Sequence, residues 1–140
     1  MRQAVRLTRR YRFAASHRLH ASALSEEENR RIYGKCNNPY GHGHDYVLEV
    51  TVEGPVDESG QVADRAAMDG LIQEHVLDRM DHRNLNADLA EFAGRVPTTE
   101  NLASVIEKSL GEHWTLPARL ARLRISETDR NAFELRLCHE

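Results

Sequence analysis

From His42 to Val52 the chain reads HGHDYVLEVTV, and the alternation of side chains along it restricts this stretch to a strand with one buried face. His42, His44, Tyr46, Leu48, Val50 and Val52 fall on one side, opposite Asp45, Glu49, Thr51 and Glu53. The segment from Val5 to His17 repeats the pattern, with Val5, Leu7, Tyr11, Phe13 and Ala15 facing away from Arg6, Thr8, Arg10 and Arg12. His17 stands in the apolar row. Both strands therefore carry histidine at one end of an inward face, which is an unusual place for a polar ring.

The rest of the chain supplies partners for these strands. Ser25 and Glu28 stand at capping-box spacing, predicting a short helix or ordered loop that leads to Cys36. The stretch GPVDESG ends the second strand. Met68, Leu71, Ile72, His75 and Val76 recur at helical spacing behind an Asp64 cap, so a helix is expected to run to about Arg79. A second helix follows Pro97 with Thr98 or Thr99 as cap and Leu102, Val105, Ile106 and Leu110 as its stripe. Ala121, Leu123, Ile125 and Glu127 share one strand face, as do Phe133, Leu135 and Leu137 beyond the turn TDRN. The order ββααββ predicts an α+β fold, with two helices on one face of a four-stranded antiparallel sheet.

At 140 residues the chain fits a single domain, 1–140. Its 40% hydrophobic and 29% charged residues mark a globular protein, and no apolar run approaches the roughly 20 residues of a membrane span. The net charge of -3 and the scattered basic residues exclude a nucleic-acid binder. The opening MRQAVRLTRRYRF has neither the apolar core nor the cleavage site of a secretory signal, which predicts a cytoplasmic protein without a Cys36–Cys138 disulfide.

Three inward histidines, His17, His42 and His44, suit a divalent metal, with Gly43 keeping the far face small. Imidazole ligands favour Zn2+, and three of them leave a fourth position for water or substrate. Alone, a His-x-His is an ordinary polar pair; the third histidine on a neighbouring row makes a metal site the better reading. Cys36 reads either as a small buried hydrophobe or, within the loop YGKCNNPYG and beside Lys35, as a thiolate base, nucleophile or fourth ligand. Asp81 and His82 could simply close a helix end, or form a relay if the thiol lies near. Glu127 could hold the N–H edge of a flat heterocycle or pair with an arginine. Arg10, Arg12, Arg122 and Arg124 read as solvated strand faces, with phosphate binding left open, and His20, His75, His113 and His139 as surface or packing residues.

Taken together and in order, ASHRLH, GKCNNPYGHGHDY, MDHRNLN, PTTEN and SETDRN resemble the 6-pyruvoyl-tetrahydropterin synthases, over about Phe13 to Phe133. The resemblance implies a T-fold that assembles as a homohexamer, a dimer of trimers, with active sites between subunits. It implies zinc on His17, His42 and His44, Cys36 as the catalytic thiol, and Asp81 with His82 reaching it from a neighbouring subunit. Glu127 matches the pterin anchor, and Thr98, Thr99 and Glu100 match the lining of the pterin pocket. The implied reaction converts 7,8-dihydroneopterin triphosphate to 6-pyruvoyl-tetrahydropterin with loss of triphosphate. Its sister family, the 6-carboxytetrahydropterin synthases of queuosine and deazapurine synthesis, releases acetaldehyde and usually has a shorter gap than NNPYG between cysteine and HGH. A third branch that feeds folate synthesis alters the cysteine motif, and Cys36 counts against it. The stretch VADRAAM departs from the family's usual helix start. The rival from another class is a non-catalytic pterin- or metal-binding protein, against which Cys36, Asp81 and His82 speak together.

Overall fold

The computed structural model describes residues 3–137; Cys138 and His139, and with them the disulfide question and one surface histidine, lie outside that range. Strand β1, Val5–His17, pairs antiparallel with β2, His42–Gly54, over its whole length. That register sets Tyr11 against Leu48, Phe13 against Tyr46 and His17 against His42, so the two apolar rows merge into one surface. On the far side of β2 lies β4, Arg119–Ser126, and beyond it β5, Ala132–Arg136. Leu48 faces Ile125, and Ile125 faces Phe133. Leu137 follows β5 and still donates its N–H to the Ala121 carbonyl at 3.1 Å.

The expected four antiparallel strands are present, but the sheet has five strands in the order β3-β1-β2-β4-β5 and is mixed. The additional β3, Arg83–Asn84, runs parallel to β1 beside Ala15 and Ser16. Two residues are too few to show any periodicity, which is why no sequence pattern announces it. It is held there by Asp81, whose Oδ1 accepts the Ala14 N–H at 2.9 Å, and by the His82 N–H on the Ala14 carbonyl at 2.6 Å.

The helices also outnumber the two expected. Ser25 and Glu28 do form a reciprocal cap on α1, Glu26–Tyr33. Its one buried side chain is Asn29, whose amide bonds the Ala21 N–H at 2.7 Å and the Ala21 and Ser25 carbonyls at 3.0 and 2.9 Å. Polar closure of a loop, and not an apolar stripe, therefore positions α1. Asp64 caps α2, Arg65–Ile72, which continues through a π turn at Gln73–Leu77 into α3, Asp78–Met80. A short α4, Leu85–Asp88, precedes α5, Thr99–His113, which Thr98 caps. Met68, Ile72 and Val76 meet Leu102, Ile106 and Leu110 over the row Tyr46, Leu48, Val50, Leu123 and Ile125, all of them buried. Each such side chain contributes about 1.5–3 kcal/mol by leaving water.

The opposite sheet face is only in part the solvated arginine surface expected: Arg10 and Arg12 are exposed, but Arg122 and Arg124 are half-buried. Glu49, only 7% exposed, accepts from Arg124 at 2.7 Å and lies 3.6 Å from Arg122 and 3.9 Å from Arg10. Arginines from β1 and β4 meet a glutamate of β2, so only strand pairing assembles the cluster. Among the described residues no helix is long and apolar enough to cross a membrane.

Candidate active site

The inward rows of β1 and β2 end together, because His17 pairs with His42 across the ladder. Around that point His44 Nε2 lies 3.1 Å from His17 Nε2 and 3.3 Å from His42 Nδ1. Ligand atoms about 2.0–2.1 Å from a tetrahedral zinc stand about 3.3–3.4 Å apart, so these spacings suit a shared ion. Cys36 Sγ is 3.5 Å from the same His44 nitrogen, and Glu127 Oε1 is 3.2 Å from it. Ligand atoms of His17, Cys36, His44 and Glu127 all lie within 4.8 Å of one another. His42, the third histidine expected to bind metal, is outside that group and adjoins it at His44.

The protonation states fit metal binding. His17 is fully buried, and burial, reinforced by the like charges of His44 and His42, pushes its pKa down to about 4, with the Pro97 carbonyl working the other way. Burial also lowers His44, against the pull of Glu127. Both rings are neutral at pH 7 and present lone pairs, as a metal requires. The Cys36 thiol moves the other way: burial first, then the Glu127 charge, pushes it up. The expected help from Lys35 does not appear, since Lys35 is exposed and is no cause of the shift.

Local structure explains how the parts reach one another. Cys36 sits in a 3-10 turn, Gly34–Asn37, and its carbonyl accepts the Leu19 N–H at 2.7 Å, tying the loop to the residues after β1. Gly41 enters β2 at φ +83, where a Cβ would stand 3.2 Å from the His17 carbonyl oxygen, so glycine is required there. Gly43 has no such constraint: nothing lies within 4 Å of the position a Cβ would take. Glu127 follows β4 at the hairpin turn, where its N–H donates to the Asn131 carbonyl at 3.3 Å. Its Oε2 accepts from the Thr99 hydroxyl at 2.9 Å, which leaves Oε1 aimed at the histidines.

Other sequence-predicted residues take different places. Thr98 spends its hydroxyl on the Asn101 N–H at 3.2 Å, and Glu100 is exposed on the first turn of α5. Asp81 and His82 are not gathered with Cys36 within the chain. His82 adopts φ 60, a left-handed conformation that costs a non-glycine residue about 1–2 kcal/mol. Its side chain is 82% exposed, with Nε2 3.7 Å from Asp81 Oδ2. Strain of this kind gathers at functional sites. Tyr46 was not singled out by the sequence, yet its hydroxyl lies 3.2 Å from His17 Nδ1 and orients the ring. Its place two residues after His44 on the inward row was the available signal.

Comparison with known proteins adds a second line of support. The family model described as 6-pyruvoyl tetrahydropterin synthase matches residues 6–138. The chain belongs to that family. It is 48% identical to the 6-pyruvoyl tetrahydrobiopterin synthase of Poecilia reticulata over 89% of this chain and 85% of that one. With the Homo sapiens protein of the same name the identity is 43%, over 89% and 86%. The structure of Caenorhabditis elegans 6-pyruvoyl tetrahydropterin synthase superimposes with a TM-score of 0.91 at 39% identity, covering 99% of both chains. This chain and the Caenorhabditis elegans protein therefore share one fold.

Proposed function

We propose that this protein is a zinc-dependent 6-pyruvoyl-tetrahydropterin synthase, a cytoplasmic lyase that takes 7,8-dihydroneopterin triphosphate and releases triphosphate. The meeting of His17, His42, His44, Cys36 and Glu127 at one end of the sheet supports this reading. It agrees with the names of relatives 43–48% identical over most of the chain. His17, His42 and His44 would hold zinc, and the chemistry it would supply is Lewis-acid polarisation of the substrate's side-chain hydroxyls. Glu127 Oε1 faces the cluster while Thr99 holds Oε2, so the carboxylate is fixed to accept the N–H edge of the pterin.

Cys36 Sγ, beside His44, takes and returns protons on the substrate side chain. These shifts reduce the ring as they oxidise the side chain, so electrons balance without a nicotinamide. Asp81 and His82 stand outside the cluster that holds Cys36 in their own chain and serve the thiol of a neighbouring copy. This arrangement needs the homohexamer, a dimer of trimers of single-domain chains. Supplying the zinc-loaded protein with 7,8-dihydroneopterin triphosphate tests the assignment. A pyruvoyl pterin without acetaldehyde is expected. Stoichiometric acetaldehyde with a carboxylated pterin would instead assign the 6-carboxytetrahydropterin synthase activity, and binding without turnover the non-catalytic role.

A further inference from the structure

A cavity of about 460 Å³ opens between α1, the 3-10 turn that carries Cys36, and the residues just after β1. Its size falls in the range of small-ligand pockets. Arg18, Arg30 and Lys35 line it with His20 and His42, and Glu26 is the only carboxylate in the lining. Among the described residues none of those three cations has a carboxylate within 4.0 Å, whereas Arg9, Arg79, Arg119, Arg122, Arg124 and Arg136 all do. The wall is built, not a chance gathering of surface chains. Arg18 Nε donates to the Asn37 carbonyl at 3.3 Å, and Asn37, itself buried, donates to the Leu19 carbonyl at 2.8 Å. Asn37 Nδ2 also lies 3.2 Å from His20 Nδ1.

His42 belongs both to this cavity and to the histidine cluster. Glu127 meets the same cluster through His44. The site therefore has a carboxylate on one side of the histidines and unpaired cations on the other. A molecule with an N–H-rich ring at one end and a polyanion at the other would match that polarity.

We infer that the cavity bounded by Arg18, Arg30, Lys35 and His42 is the polyphosphate subsite of this active site. The inference rests on the proposed function for the identity of the ring. Arginine supplies planar forked donors and lysine a mobile point charge, the pairing suited to a triphosphate. A second basic cavity, of about 350 Å³, holds Arg10, Arg12, Arg124 and Arg130. It lies on the other face of the sheet from the histidines, and its Arg124 is already committed to Glu49 at 2.7 Å. Two carboxylates, Glu49 and Asp129, also line it, which makes it the less favourable place for a polyanion.

The test uses the zinc-loaded Cys36→Ala protein, which cannot turn substrate over, and compares the Kd of 7,8-dihydroneopterin triphosphate with that of 7,8-dihydroneopterin. The triphosphate is expected to bind at least about tenfold more tightly, through charge-assisted bonds. Adding Arg30→Ala or Lys35→Ala should each reduce that advantage about tenfold, leaving dihydroneopterin affinity within about twofold. Arg12→Ala, in the opposite cavity, should change neither. An advantage that survives both Arg30→Ala and Lys35→Ala, or that disappears with Arg12→Ala, overturns the inference while leaving the proposed function intact. If dihydroneopterin fails to bind at all while triphosphate binding still depends on Arg30 and Lys35, the anion subsite stands and the proposed function falls.

Discussion

Replacing Thr99 with valine isolates one bond on which the site depends. Thr99 is 2% exposed, and its hydroxyl donates at 2.9 Å to Glu127 Oε2, on a side chain 15% exposed. Valine keeps the shape, so no cavity opens, and the cap of α5 is untouched because Thr98 provides it. What is lost is a hydrogen bond to a charged acceptor in a largely desolvated place, worth about 1.5–3 kcal/mol. At 1.36 kcal/mol per decade, roughly a 10- to 150-fold weakening of pterin binding follows if the whole loss falls on the orientation of Glu127. The assay is titration of the zinc-loaded protein with 7,8-dihydroneopterin, followed by fluorescence, with a thermal melt to confirm folding. Thr99→Ser, which restores the hydroxyl, should recover most of the affinity. A folded Thr99→Val protein that binds the pterin like the unaltered chain would refute the reasoning. So would a Thr99→Ser protein as weak as the valine variant, since the hydroxyl would then be irrelevant.

Cys36→Ala is expected to keep its metal and to lose activity by about 10²- to 10⁴-fold, the range for a proton-transfer group; metal analysis showing depletion would mean that Cys36 is a ligand. His42→Ala should deplete the metal, and full occupancy in that variant would select the set made of His17, Cys36, His44 and Glu127. Asp69 joins α2 to β1 by accepting from Arg9 at 2.7 and 2.8 Å and from Tyr11 at 2.6 Å. The Arg9 bond, aided by Tyr11, holds the Asp69 carboxyl below its usual value. Its stabilising contribution is therefore complete above the unfolded pKa of about 4 and is lost as pH falls through the lower folded value. The Tm gap between the unaltered chain and Asp69→Asn should be widest near neutrality and close in acid; a gap independent of pH would exclude the carboxylate as its source.

The relatives' names and the cluster geometry agree, yet they rest on different properties of the chain. Alternation over His42–Val52 and Val5–His17 was enough to place His17, His42 and His44 on inward faces, because side chains on a strand must alternate whatever surrounds them. The caps at Ser25 and Asp64 were equally legible, and that of α5 was narrowed to Thr98 or Thr99, since a cap is a local bond between a side chain and a backbone N–H a few residues ahead. The family motifs likewise lie in short contiguous stretches.

Tertiary structure decided what depends on partners distant in the chain. Register alone brings His17 opposite His42, and the reach of Glu127 to His44 and Thr99 spans residues that sequence spacing cannot relate. The direction of the Cys36 shift followed from burial and from Glu127, not from the neighbouring Lys35, because electrostatic environment is set by what folds around a thiol. β3 and the buried Glu49 among three arginines were invisible for the same reason: a two-residue strand has no period, and an ion cluster drawn from three strands has no motif. Local alternation and capping are properties of neighbours along the chain; the site's chemistry is a property of neighbours in space.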